Sequence, residues 1–128
     1  MKTTSNYPEW VDATERQIID CLIDTILGAG YLIQVYDYEA DDPAPRLSDK
    51  AAIRADVGQM DETVLRVWEK DGFYKGRILL IHGNGTDVIS DHTDTPFMES
   101  MVRPAMDLAD GLPPDAYQDY LSRPEVDL

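Results

Sequence analysis

Apolar residues at helical spacing dominate the first part of the chain. Ile18, Ile19, Leu22, Ile23, Ile26 and Leu27 fall on one broad face, and Arg16, Gln17, Asp20 and Asp24 fall opposite. Asp12-Ala-Thr-Glu15 reads as a capping box at the start of this helix, and Gly28 and Gly30 stop it. From Tyr31 to Tyr38 the pattern becomes β-branched and aromatic, which predicts a strand. Asp41-Asp42-Pro43-Ala44-Pro45 predicts a loop, and Ser48 is placed to cap a short helix reaching Val57 and ended by Gly58.

Thr63–Glu69, Arg77–His82 and Asp87–His92 predict three strands joined by turns at Asp71-Gly72 and Asn84-Gly85, dipeptides suited to positive φ. With Asn84-Gly85 as a two-residue turn, His82 faces Asp87, Ile81 faces Val88, Leu80 faces Ile89 and Arg77 faces His92. One sheet face then carries Leu65, Val67, Ile78, Leu80 and Ile89, and the other carries Val64, Trp68, Leu79, Ile81 and Val88. Both faces are apolar, so the expectation is cover on both sides, by helices or by the second subunit of a homodimer. Thr95-Pro96 opens a helix whose Phe97, Met98, Met101, Val102, Ala105 and Met106 face inward, with Pro104 expected to kink or split it. Pro113-Pro114 opens a last short helix carrying Tyr117, Tyr120 and Leu121. The fold class predicted is α+β: a three- to four-stranded antiparallel sheet, with a meander over 63–92, packed with helices in one domain spanning 1–128.

Charge changes the picture more than size does. The 128 residues carry 25 acids and 11 bases, a net charge of −14, and 18 of the acids are Asp. Residues 1–45 hold nine acids and two bases, 46–77 hold six and seven, and 78–128 hold ten and two. Such a field disfavours direct contact with nucleic acid or an anionic membrane and attracts a basic protein. Cys21 is the single cysteine, which excludes an internal disulfide and points to a reducing cytoplasm. The longest apolar run, Ile78 to Ile81, is far short of the ~20 residues of a membrane span.

Candidate chemistry is sparse. His82, Asp87, Asp91, His92 and Asp94 crowd into one segment, but the proposed register puts the two histidines on opposite faces, where they cannot grip one ion. The expectation is a His82–Asp87 cross-strand pair, with no metal and no cofactor. Ile81-His82-Gly83-Asn84-Gly85 has the letters of an esterase oxyanion turn without the accompanying G-x-S-x-G elbow, and Ser90-Asp91-His92 has triad letters that adjacent residues cannot align. Cys21 reads as a packing residue.

The sequence therefore predicts a non-enzymatic binding protein. Asp20, Asp24, Asp37, Glu39, Asp41, Asp42, Asp115 and Asp119 are its candidate contact residues, and a basic, nucleic-acid-binding protein is the expected partner. Asp20 and Asp24, and likewise Asp115 and Asp119, stand one helical turn apart. Duplex DNA carries one charge per ~1.7 Å, so 14 charges match roughly 24 Å of duplex, the scale of a DNA mimic. The composition resembles that of small acidic proteins of mobile elements that block restriction or CRISPR machinery, a likeness of class carried by no motif. Single changes such as Asp20→Asn are expected to be mild on this reading. The alternative is an accessory domain, dimeric or not, whose acidity serves solvation alone. A third reading is an enzyme or metal protein built on His82, Asp87 and His92.

Overall fold

The computed structural model describes residues 7–36, 44–59 and 61–112. Asp12 accepts from the backbone N–H groups of Thr14 and Glu15 at 2.8 and 3.2 Å and so starts helix α1, Ala13–Gly28. Strand β1 (Leu32–Tyr36) follows, then the two-residue β2 (Arg46–Leu47) and helix α2 (Lys50–Asp56). Asp49, one residue after the expected Ser48, caps α2, because its carboxylate reaches the Ala51 N–H. Strands β3 (Glu62–Trp68), β4 (Tyr74–Ile81) and β5 (Ile89–His92) form the meander, and helix α3 (Pro96–Gly111) closes the described chain.

The sheet is antiparallel and five-stranded, ordered β2-β1-β3-β4-β5, one strand more than predicted because Arg46–Leu47 adds an edge. Ile33 and Val35 of β1, Leu65 and Val67 of β3, and Ile78 and Leu80 of β4 alternate onto one face and join the core. Ile18, Ile19, Leu22, Ile23 and Ile26 of α1, Ile53 of α2, and Met98, Val102 and Ala105 of α3 cover that face. Each such aliphatic side chain contributes about 1.5–3 kcal/mol on full burial. Among the described residues no helix lies on the opposite face, although Val64 and Gln34 there are buried. The opposite face carries Gln34, Arg46, Glu62, Arg66, Arg77 and Asp91 between its apolar positions, and no residue of that face belongs to the core cluster.

Two local expectations are also corrected. Pro104 neither splits nor ends α3, which runs unbroken to Gly111. Pro104 is exposed, so the carbonyl it leaves without an intrahelical partner lies on the solvated side. The link between β4 and β5 is a longer loop with a 3₁₀ turn at Gly85–Asp87, not a two-residue turn. A two-residue turn of that type needs positive φ at both Asn84 and Gly85, whereas here Asn84 sits at −101° and Gly83 and Gly85 take the positive angles. Ile81 still bonds to Val88 and Leu80 still faces Ile89, but a bulge then sets Ile78, not Arg77, opposite His92. Val88 turns into the core rather than onto the outer face. The last predicted helix, with Tyr117, Tyr120 and Leu121, lies outside the described residues.

Gly76 shows how closely α3 meets the sheet. Its φ is +151°, and a Cβ there would stand 2.6 Å from Cγ of the fully buried Met98. Gly76→Ala is expected to lower unfolding free energy by about 2 kcal/mol, from backbone strain and overpacking together. Urea denaturation measures it, and an unchanged midpoint would show that α3 can shift freely on β4.

Candidate functional site

Glu15 was expected to reach back along its own helix. Instead it is fully buried, and its carboxylate leaves α1 for the β4–β5 loop. Its Oε2 accepts from the Gly83 N–H at 2.7 Å and the Gly85 N–H at 3.1 Å, and its Oε1 lies 3.3 Å from Nδ1 of His82. The expected His82–Asp87 pair does not form. The loop turns His82 inward onto Glu15, and Asp87 is exposed at the end of the 3₁₀ turn. On the far side of the imidazole, Nε2 lies 2.7 Å from Thr63 Oγ1, which accepts from the Gly58 N–H at 3.1 Å. A carboxylate only accepts, so Nδ1 carries a proton toward Glu15, while the Thr63 hydroxyl can donate to Nε2 or accept from it. Trp10 packs edge-on against this ring, with centroids 5.5 Å apart.

Hydroxyl, imidazole and carboxylate thus lie in the order of a hydrolase triad. Thr63 and His82 are buried, however, and the Thr63 hydroxyl is already bonded to backbone, so this arrangement ties elements together and offers no nucleophile to solvent. Two surface depressions, of about 440 Å³ beside Gly30, Tyr31 and Lys70 and about 80 Å³ beside Asp87, Met106 and Asp110, do not include these residues. His92 stands apart, with Nε2 3.6 Å from Glu99 and Nδ1 3.0 Å from the Thr93 carbonyl. Among the described residues no three His, Cys, Asp or Glu side chains gather as a metal-ligand set. Cys21 is half-buried and packs against the core. No described helix is long and apolar enough to cross a membrane.

The acids chosen from sequence fare unequally. Asp20 accepts from Arg54 Nε at 2.9 Å and Nη2 at 2.8 Å, and from the Tyr7 hydroxyl at 2.6 Å. Burial, then the hydrogen bond to the Asp20 carboxylate, pushes the Tyr7 hydroxyl far above its ordinary range. Asp24 pairs with Lys50 at 2.7 Å. Both carboxylates pair with cations of α2, Asp20 also holds the Tyr7 hydroxyl, and Asp24 stays exposed beside Lys50. Asp37, Glu39, Asp41, Asp42, Asp115 and Asp119 lie outside the described residues. Sequence reasoning passed over Arg46, Arg66 and Arg77, which share the sheet face that carries no helix among the described residues, although the excess of bases in 46–77 was the available signal.

Two outcomes follow from this geometry. Asp20→Asn is expected to cost about 1–2 kcal/mol of stability, since a charged bidentate bond becomes a neutral one beside a buried phenol, and thermal melts measure it. Burial alone would push the Glu15 carboxyl up. The His82, Gly85 and Gly83 donors, with the Asp12 contact, outweigh it and hold the carboxyl below the ordinary value of 4.5. A folded pKa below the unfolded one gives stability that is present above that ordinary value and lost as pH falls through the folded value. Asp12 is shifted the other way, by burial and then by the Glu15 charge against its own backbone donors, and offsets part of this slope. Glu15→Gln is expected to lower stability at neutral pH by about 2–3 kcal/mol and to flatten the loss on acidification below about pH 4.5. Denaturation at neutral and acid pH checks both, and an equal acid slope in parent and variant would contradict the assignment.

No family model matches this chain, and searches of curated proteins and of solved structures find no match.

Proposed function

We propose that the chain is a non-catalytic binding protein that presents carboxylates to a basic site on a partner protein, of the kind that handles nucleic acid. The observation that carries this reading is the segregation of charge. Lys50, Arg54, Lys75 and Arg103 are each held by a carboxylate, Arg16 donates to the carbonyls of Pro8, Glu9 and Val11, and Arg46, Arg66 and Arg77 stand on one sheet face. Exposed Asp56, Asp61, Glu62, Asp87, Asp107 and Asp110 meet no cation at ion-pair distance among the described residues. Asp87 and Asp110 border the small cleft floored by Ile89, Met106 and Ala109, which adds apolar area to the charge. The acids at 37, 39, 41, 42, 115 and 119 belong to this proposal by sequence position alone.

Surface charges are screened over ~8–10 Å near physiological ionic strength, so the partner is expected to dissociate as salt rises. Capture on the immobilised chain at about 0.05 and about 0.5 M salt, with duplex DNA as competitor, should yield a basic protein released by either treatment. Replacing Asp87, Asp107 and Asp110 together with Asn should weaken that capture about tenfold without lowering the melting temperature, mainly by slowing association. No salt-sensitive partner, or the same capture by the triple variant, would favour acidity that serves solvation alone.

A further inference from the structure

Seven of the 11 bases fall within residues 46–77, and pairing places three of them in one row. Arg46 faces Gln34 across β2 and β1, Gln34 faces Arg66 across β1 and β3, and Arg66 faces Arg77 across β3 and β4. Directly opposed residues share a sheet face, so these four positions form one cross-strand row of roughly 14 Å on the side away from the helices. No carboxylate lies at ion-pair distance from any of the three arginines among the described residues, in a chain with 25 acids.

Aromatic rings hold two of the guanidinium groups instead, those of Arg46 and Arg66. Arg46 lies 3.5 Å over the Trp68 ring and Arg66 4.1 Å over the Tyr36 ring. Trp68 is itself fixed: its Nε1 donates to Gln34 Oε1 at 3.0 Å, and Gln34 Nε2 donates to the Ala44 carbonyl at 2.8 Å. Tyr74 extends the aromatic row, 5.1 Å from Trp68 and half exposed. Stacking occupies the flat faces of a guanidinium and leaves its N–H edge open, a planar fork that matches a carboxylate in two bonds. Arg66 Nε has no hydrogen-bond partner although it is buried.

We propose that this face is a docking surface for an extended acidic peptide segment of a partner protein. Its carboxylates would take paired bonds from the exposed Arg46 and Arg77, and its apolar side chains would lie against the exposed Tyr74. Charge complementarity is the argument, and two observations favour peptide over single-stranded nucleic acid. The Trp68 and Tyr36 rings, on which bases would stack, already carry guanidinium groups. The net charge of −14 also repels a polyanion in proportion to its length, whereas a segment with a few carboxylates meets little of that field. This surface differs in place and sign from Asp87, Asp107 and Asp110, the carboxylates replaced in the test of the proposed function, so either can fail alone.

The test is fluorescence anisotropy of a labelled peptide alternating Glu with Leu, titrated with the full chain. Arg46 and Arg77 are both exposed, so Arg46→Gln with Arg77→Gln should leave the chain folded, with a small drop in melting temperature from the lost Trp68 stack, and weaken binding tenfold or more. Arg46→Lys with Arg77→Lys keeps the charge but loses the fork, and should recover only part of the affinity. The proposal is overturned by undetectable binding, by equal binding of a peptide with Lys in place of Glu, or by unchanged affinity in the double Gln variant. It is also overturned if an oligothymidylate binds more tightly than the Glu peptide and is lost in the same variant, which would assign the face to phosphate.

Discussion

A single buried carboxylate organises the contacts between distant parts of this chain. Glu15 sits near the start of α1, yet its oxygens are taken by groups 67 to 70 residues away. An ionised carboxylate only accepts, so enclosing it requires donors on every open side. The two glycine N–H groups and the imidazole Nδ1–H supply them. The positive φ angles of Gly83 and Gly85 occur at the residues whose N–H groups converge on Oε2. From His82 the path continues to Thr63 at the start of β3 and to Gly58 just beyond α2. One desolvated charge thus joins the first helix, the end of the second, and the β4–β5 loop. Removing it would leave three donors facing an apolar interior, a larger loss than any one of these bonds contributes.

The same α1 shows why polar periodicity is an incomplete guide to a binding surface. Asp20 and Asp24 do lie opposite the apolar face, as the spacing requires. Periodicity separates the core side from the other side, but it does not say whether the other side meets water or another element. Here Arg54 and Lys50 reach it from α2 and pair with both acids. Tyr7 and the Arg54 guanidinium, 5.6 Å from its ring, close over Asp20. An acid held this way acts on stability, so a change at Asp20 is no longer expected to be the mild effect on association that the isolated helix suggested.

What was legible followed from local rules. The Asp12 and Thr95 caps, the stop near Gly28, the Asp71-Gly72 turn and the three strands of the meander rest on interactions within a few residues. The Ile78 and Leu80 face was legible too, because alternation alone assigns it. The β4–β5 loop was misread for a physical reason: Asn84-Gly85 favours a tight turn, but the buried carboxylate of a distant helix redirects the backbone around it. Once the loop lengthens, His82 leaves Asp87, Val88 enters the core and His92 moves opposite Ile78. The arginine row was hidden for a related reason. Arg46, Arg66 and Arg77 are scattered in sequence and become neighbours only through the pairings of β2, β1, β3 and β4.

Net charge is therefore a poor description of this molecule's electrostatics. A domain of this length has a radius of gyration of about 14 Å, so opposite sides are separated by several screening lengths of ~8 Å. At that separation the arginines of the sheet face and the carboxylates beside α3 scarcely sense each other through solvent. Each field acts on what comes close to it. An approaching anion meets the local row of guanidinium groups, while an approaching cation meets Asp87, Asp107 and Asp110 without interference from that row. Lowering the salt lengthens the screening distance until the whole −14 is felt. Acid-mediated contacts then strengthen in full, whereas the gain at the arginine row is offset by repulsion from the rest of the chain, so the size of the salt effect distinguishes which face a ligand occupies.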